Sequence, residues 1–195
     1  MKVLGIENKS TNCYLIAYES GWIMIDTGLP DTFPQLLRIL SQNDIPITEI
    51  DYLIITHFHP DHAGLTQHLK DLGTNLILHE TQVPYIGKIN SFFKKNPKAN
   101  FKDITSSNCI IVSGEESRNL LKDLGIDGEL VHTPGHSDDS ISLVIDHNCA
   151  FTGDLPALNL QEAYGDPVIS ESWNQLKSYH LKTIYPSHGP AYTME

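Results

Sequence analysis

The order of the predicted elements indicates an α/β protein with mixed sheets covered by helices. Three short β-rich runs come first, at residues 2–6, 12–18 and 22–25, and turn residues separate them. After residue 34, compact apolar runs alternate with segments whose apolar residues recur at helical spacing. A run of strands followed by alternating strands and helices fits sheets that are covered by helices.

Each later element is predicted from its apolar pattern and from the residues that end it. The remaining strands are predicted at residues 52–55, 76–78, 109–112, 129–132, 141–145, 149–152 and 183–185. The helices are predicted at residues 34–40, 63–72, 115–124 and 170–180, the second and third of them closed by Gly73 and Gly125. Residues 81–107 mix lysine, asparagine, serine and aromatic residues, which suggests a partly helical insert. No repeat or linker-like stretch divides the sequence, so residues 1–195 are expected to form one domain.

Composition and charge favour a cytoplasmic protein. The chain has 24 acidic and 13 basic residues, and this net charge of −11 argues against nucleic-acid partners because it repels phosphate groups. No apolar run approaches the roughly 20 residues that a membrane span needs, so no membrane partner is expected. The N-terminal residues lack the features of a secretory signal. The three cysteines are isolated from one another, which indicates buried thiols in a reducing compartment.

Four potential metal ligands lie within six residues at the end of a predicted strand: His57, His59, Asp61 and His62. In an extended segment, residues two apart project to the same side, so His57 and His59 can bind one ion together. Pro60 turns the chain and can aim Asp61 and His62 at a second position nearby. Imidazole and carboxylate together suit zinc, iron or manganese better than calcium or magnesium. An accidental cluster of surface histidines is disfavoured, since it would not place four ligands together at a strand end.

This stretch resembles the HxHxDH signature of the metallo-β-lactamase superfamily. Four further segments are similar to motifs of that family, in the family's order, at residues 25–28, 133–137, 151–154 and 186–190. Through these five motifs the resemblance extends over nearly the whole chain. The resemblance implies a four-layer αβ/βα sandwich of two mixed β-sheets flanked by helices. Its ligands would lie on loops at one edge, where the two sheets meet.

The resemblance also assigns seven side chains to two divalent metal ions, with zinc expected and iron or manganese as alternatives. The implied ligands are His57, His59 and His136 for the first ion, Asp61, His62 and His188 for the second, and Asp154 as a bridge between them. Asp26 is implied to hold a ligand or a loop in place by hydrogen bonds. Three terminal ligands for each ion plus a shared carboxylate leave room for a bridging water.

Such a site predicts a hydrolase that acts on a small thioester, ester or lactone. A water that bridges two divalent ions loses a proton near neutral pH, and the resulting hydroxide can attack a carbonyl carbon. Asp61 or Asp154 could relay a proton to the leaving group. Glyoxalase II enzymes and acyl-homoserine lactonases share the motif set. Several β-lactamases of the superfamily carry cysteine where this chain has Asp154, which points away from antibiotic hydrolysis.

Two other functions are consistent with the same motifs. A sulfur dioxygenase with one iron shares the motif, and a non-catalytic sensor would use the metal site only to bind a metabolite. Residues 81–107 and 155–170 are expected to decide which small molecule binds, and they carry no motif that identifies it. The sequence also leaves the oligomeric state undetermined.

Several residues near the motifs have less specific expectations. Asp138 and Asp139 are expected in a solvated turn, with contact to substrate as the alternative. His132 could support the ligand loop that follows it. Trp173 fits a pocket wall or the core equally well. The remaining histidines are expected to be ordinary surface or packing residues; they are His68, His79, His147 and His180.

Overall fold

Apolar strand sequences build two β-sheets in the computed structural model, which describes residues 2–194. The strands of the first sheet, in spatial order, are β1 (Lys2–Asn8), β2 (Thr11–Ala17), β3 (Trp22–Ile25), β4 (Ile50–Ile54), β5 (Asn75–His79) and β6 (Cys109–Val112). The pairs β1–β2 and β2–β3 are antiparallel, whereas β3 to β6 pair in parallel. The sheet is therefore mixed, as the sequence predicts.

The second sheet is smaller and also mixed. Its strands are β7 (Gly128–His132), β8 (Ile141–Ile145), β9 (Cys149–Gly153), β10 (Thr183–Pro186) and β11 (Tyr192–Thr193), in the spatial order β11-β10-β9-β8-β7. Only β9 and β10 pair in parallel. The sequence patterns predict all of these strands except β11, whose two residues are too few to show alternation.

Helices connect the strands and cover the sheets. They are α1 (Phe33–Gln42), α2 (Pro60–Ala63), α3 (Thr66–Lys70), α4 (Val83–Lys94), α5 (Gly114–Asp123), α6 (Gln161–Tyr164) and α7 (Pro167–Lys177). Within residues 2–194, no helix combines the length and the apolar character needed to cross a membrane.

Both faces of the central strands of the first sheet, β2 to β5, are largely buried, which explains why these strands are mainly apolar. Along β2, Leu15 packs into one cluster with Leu36 of α1, while Ile16 packs into another with Phe151 of the second sheet. Alternate strand residues point to opposite faces, so one strand contributes to both layers. On the far face of the second sheet, Trp173 of α7 packs against β8 and β9. The layers are helix, sheet, sheet and helix, which confirms the predicted four-layer sandwich.

Two predicted helices differ from the observed ones. In place of the single helix predicted at residues 63–72, two short helices, α2 and α3, lie on either side of Gly64. A β-carbon on Gly64 would lie 2.5 Å from the carbonyl oxygen of Gly28, so the two backbones approach closely there. The last long helix begins at Pro167 rather than residue 170, because the Asp166 side chain accepts a hydrogen bond from the Val168 amide and caps it. Residues 83–94 supply the helical part of the predicted insert.

Candidate metal centre

The candidate ligands lie where parallel strands of both sheets end at one edge. Ile25 pairs with Ile54 at the ends of β3 and β4, so Asp26 and the segment that starts at Thr56 leave the first sheet side by side. In the second sheet, Gly153 of β9 pairs with Pro186 of β10, which places Asp154 beside the segment carrying His188. Carboxyl ends of neighbouring parallel strands share one edge, where open α/β sheets place their ligands.

Backbone hydrogen bonds join the two sheets at this edge. The Ile141 amide donates to the Thr56 carbonyl at 2.8 Å, and the Asn12 amide donates to the Ser187 carbonyl at 2.8 Å. The loops that carry the candidate ligands are therefore fixed to each other across the sandwich. Gly153, with φ +58°, lies so close to Thr56 that a β-carbon there would approach the threonine side chain to 2.7 Å.

All seven side chains predicted as metal ligands come together at this edge, and we call them the metal cluster. Within each of three groups, the potential ligand atoms lie within 4.8 Å of one another. The groups are His57, His59 and His136; His57, His62 and Asp154; and Asp61, His62 and His188. The groups overlap at His57 and His62, so the cluster is one continuous site.

Asp154 lies between two pairs of imidazoles. Its Oδ1 is 3.5 Å from His62 Nε2 and 3.4 Å from His188 Nε2. Its Oδ2 is 3.5 Å from His136 Nε2 and 3.9 Å from His57 Nε2. Each carboxylate oxygen therefore faces a different histidine pair. Asp61 faces one histidine pair, since its Oδ2 lies 3.5 Å from His62 Nε2 and 3.4 Å from His188 Nε2.

The donor set of the cluster fits bound cations. Among the described residues, His57 Nε2, His62 Nε2 and Asp154 Oδ1 are buried and have no hydrogen-bond partner. Buried polar atoms without partners are rare in folded proteins because their desolvation is costly. Here these atoms converge on the same space, so metal ions bound there would satisfy all three. Imidazole nitrogens and a carboxylate suit zinc, iron or manganese.

The electrostatics of the cluster also favour a cation. Burial lowers the pKa of His57 well below its ordinary value, helped by the neighbouring histidines, so its ring is neutral and can offer a lone pair. Burial acts in the same direction on His62, but the carboxylates of Asp26 and Asp154 outweigh it and raise its pKa to about 10. Burial would raise the pKa of Asp154, yet His62 and its neighbours lower it overall, so Asp154 is ionised.

Asp26 holds His62 in place, which is the role that the resemblance of the sequence to the family implies. Its fully buried carboxylate accepts hydrogen bonds at 2.8 to 2.9 Å from the Thr56 amide, the Thr56 hydroxyl, the Ser187 hydroxyl and His62 Nδ1. With Nδ1 occupied, the Nε2 atom of His62 faces the cluster. Asp26 itself has φ +55°, a left-handed conformation that aspartate tolerates better than most residues.

Two other histidines of the cluster are oriented in the same way. The Nδ1 atom of His57 lies 3.2 Å from the Thr56 hydroxyl, and the Nδ1 atom of His188 lies 2.7 Å from the Ser10 carbonyl. In both rings the Nε2 atom is left to face the cluster. The sequence motifs contain Thr56 but give no signal for Ser10, which acts through its backbone.

The expectation for Asp139 is wrong. Its side chain is buried, and its Oδ2 accepts a hydrogen bond from the Phe58 amide at 2.7 Å. The fully buried Gln82 side chain donates to the carbonyl of Asp139 and to that of Ile55, at 3.2 and 2.8 Å. Asp139 and Gln82 thereby fix the loop between His57 and His59. Asp138 is exposed, as expected of a solvated turn.

Three other residues considered above, His132, Trp173 and His68, lie outside the metal cluster. His132 Nε2 is 2.8 Å from the carbonyl of Asp138, so it supports the loop that carries His136. Trp173 is fully buried among core residues, and its indole donates to the Pro156 carbonyl at 2.9 Å. His68 is also buried, against the ring of Phe33.

Comparison with known proteins identifies one family. The family model described as metallo-beta-lactamase superfamily matches residues 7–188. A lactamase-like protein from Emericella nidulans is 28% identical over 191 residues, which cover 93% of this chain and 52% of that protein. An atrochrysone carboxyl ACP thioesterase from the same fungus is 27% identical over 198 residues, covering 99% of this chain and 56% of that protein. The chain thus spans about half the length of these curated relatives.

Solved structures share the fold. A metallo-β-lactamase superfamily protein from Sulfolobus tokodaii superposes with a TM-score of 0.69 at 21% identity, covering 98% of this chain and 81% of that chain. A second protein, crystallised in a di-iron-bound form, also gives a TM-score of 0.69 at 21% identity, covering 99% of this chain and 94% of that chain.

Proposed function

Because the chain belongs to the metallo-β-lactamase superfamily, we propose that it is a hydrolase that holds two metal ions in the metal cluster. The observation that carries this proposal is the position of Asp154, whose two oxygens face two different histidine pairs. A carboxylate in that position suits a bridge between two ions. A site for a single ion would need only one of its oxygens.

The cluster divides into two sets of ligands around Asp154. His57, His59 and His136 would hold one ion, and Asp61, His62 and His188 the other. When bound, divalent ions supply a water of lowered pKa and polarise a carbonyl oxygen. Zinc is the expected metal, and the di-iron form of the structural neighbour supports iron as the alternative.

The reaction we propose is hydrolysis of a thioester, ester or lactone. Water adds to the carbonyl carbon, the bond to sulfur or oxygen breaks, and a carboxylic acid and a thiol or alcohol result. Asp61 is placed to pass a proton to the leaving group, since its side chain is 30% exposed, against 13% for Asp154. The Thr11 hydroxyl orients Asp61 by donating to its Oδ2 at 3.2 Å. The relative named as a thioesterase supports an acyl substrate.

Removing the metal should abolish hydrolysis and lower thermal stability. Protein stripped with a chelator and dialysed should lose at least about 1000-fold in kcat/KM, because bound ions contribute several kcal/mol to the transition state. Its melting temperature should also fall, since ions that bind only the folded chain stabilise it. Assays with an acyl thioester, an aryl ester and a γ-lactone measure the first effect, and thermal melts measure the second. Both are run before stripping, after stripping and after reloading with zinc, iron or manganese.

Reloading serves as the control, because it should restore both activity and melting temperature. Full activity in the stripped protein would contradict a metal-dependent mechanism. Oxygen uptake with a persulfide by a protein holding one iron per chain, without hydrolysis of any of the three substrates, would instead identify a sulfur dioxygenase.

A further inference from the structure

Two grooves adjoin the metal cluster. The first, which we call the apolar groove, has a volume of about 860 Å³ and is lined by residues 153–160, Pro186, Pro190, strand β11, His136 and His188. The second, the Lys88 groove, has a volume of about 730 Å³. It is lined by residues 58–60 and 136–139 and by four residues of α4: Tyr85, Lys88, Ile89 and Phe92. His136 lines both grooves, so a molecule bound at the cluster can extend into each of them.

The apolar groove suits an uncharged chain. Its wall away from the cluster is formed largely by leucine, proline and alanine side chains of residues 155–160. Within the described part of the chain, its only charged or histidine side chains are Asp154, His136 and His188, which belong to the cluster itself. An anion placed farther along this groove would find no lysine or arginine to pair with. An alkyl or aryl chain would instead leave water for an apolar surface.

The Lys88 groove, in contrast, offers a basic side chain to an anionic group. Among residues 2–194, Lys88 is the only lysine or arginine that lines either groove. Its ammonium lies over the Tyr85 ring, 3.6 Å from the centroid, and the Tyr85 hydroxyl donates to Asp138 at 3.4 Å. The carboxylates of Asp138 and Asp139 also line this groove. Among residues 2–194, however, no carboxylate forms an ion pair with Lys88, whereas Lys94 of the same helix pairs with Asp103. Lys88 is therefore an available cation at the rim of the cluster in a protein whose net charge is −11.

We propose that the substrate is a thioester or ester with an apolar chain on one side of the scissile bond and an anionic group on the other. The chain lies in the apolar groove, and the anionic group lies beside Lys88. This inference rests on the proposed function for the position of the scissile bond. Each methylene that leaves water should strengthen binding by up to about fourfold. The pairing with Lys88 should add a few-fold, because the ammonium is solvent-exposed and the pair is screened by salt.

A probe that cannot be hydrolysed tests binding separately from catalysis. The thioether 3-(octylthio)propanoate has an octyl chain and a carboxylate on either side of sulfur. Calorimetry with the metal-loaded protein should show that 3-(ethylthio)propanoate binds at least about 50-fold more weakly, because six methylenes are missing. The amide 3-(octylthio)propanamide should bind about fivefold more weakly than the carboxylate at low salt.

Paired variants locate the two parts of the probe. Lys88→Met should abolish the preference for the carboxylate over the amide, while Lys95→Met, just beyond α4 and outside both grooves, should retain it. Leu160→Asp should weaken binding of the octyl probe about tenfold, because it places a charge beside the alkyl chain. Val168→Asp is the matched control, since Val168 lies outside the groove and is 45% exposed, against 46% for Leu160.

A carboxylate preference that survives Lys88→Met would overturn the assignment of Lys88, because the anion would then bind elsewhere in the site. Equal affinity for the ethyl and octyl probes would overturn the assignment of the apolar groove. If the probes bind as expected but no thioester, ester or lactone is hydrolysed, the proposed function fails and the two binding assignments stand.

Discussion

Replacing Asp154 by alanine should remove bound metal and hydrolytic activity together. Asp154 presents one oxygen to His62 and His188 and the other to His136 and His57, so its loss affects both halves of the cluster. We expect kcat/KM to fall at least about 1000-fold, since the lost ions contribute several kcal/mol to the transition state. Elemental analysis and an acyl thioester assay on the same preparation measure both losses.

Two further variants make this prediction specific. Asp61→Ala should lose about one of the two ions, because the histidines that Asp61 faces, His62 and His188, belong to one half of the cluster. Asp123→Ala, at the exposed end of α5, should change neither metal content nor activity. Circular dichroism checks that each variant is folded. An Asp154→Ala protein that kept both ions and normal activity would contradict the bridging role of Asp154.

Replacing Asp26 by alanine should produce the largest loss of stability. Its carboxylate is fully buried and accepts four hydrogen bonds, so the variant leaves the partner groups on Thr56, His62 and Ser187 buried without an acceptor. Breaking a buried, charge-paired network of this kind costs about 3 to 5 kcal/mol. Urea unfolding of the metal-free proteins measures the difference without a contribution from bound metal.

Asp44 provides a matched control for the backbone. It has the same φ of +55° as Asp26 but is exposed. Asp44→Ala should therefore lose only the preference of aspartate for the left-handed conformation, about 1 kcal/mol. Equal losses for the two variants would mean that backbone conformation, rather than the hydrogen bonds of the carboxylate, sets the contribution of Asp26.

The seven members of the metal cluster could be found from the sequence because each lies in a short motif at a strand end. His57, His59, Asp61 and His62 are recognisable from their spacing alone. His136, Asp154 and His188 depend on the resemblance to the family, since nothing local in the sequence shows that their loops meet. In the structure, the parallel pairing of β9 with β10 brings the loops of Asp154 and His188 together. The loop of His136 ends at the same edge because β7 runs in the same direction as β9, with the antiparallel strand β8 between them.

Residues that support the cluster through long-range contacts could not be predicted. Asp139 follows a histidine motif in a stretch whose composition is typical of a turn, yet its side chain is buried. Its carboxylate accepts a hydrogen bond from the Phe58 amide, and its carbonyl accepts one from Gln82, 57 residues away along the chain. Its burial is a property of the assembled fold. The break at Gly64 is similar, because it reflects the approach of Gly28 from another loop. Helical periodicity alone cannot show either contact.

The two grooves that would bind a substrate could not be predicted from the sequence either. The sequence identifies residues 81–107 and 155–170 as the segments that could shape a pocket, but their compositions do not show how they are placed. In the structure, α4 brings Lys88 to one side of the cluster, and residues 155–160 form an apolar wall on another. The chemistry proposed for the substrate follows from these positions.

Elemental analysis of the purified wild-type protein shows whether the metal centre is dinuclear. Zinc, iron and manganese are counted per chain, before and after reconstitution of stripped protein. The arrangement around Asp154 predicts about two ions per chain, held by His57, His59 and His136 on one side and Asp61, His62 and His188 on the other. A single ion per chain, or none after reconstitution, would contradict it.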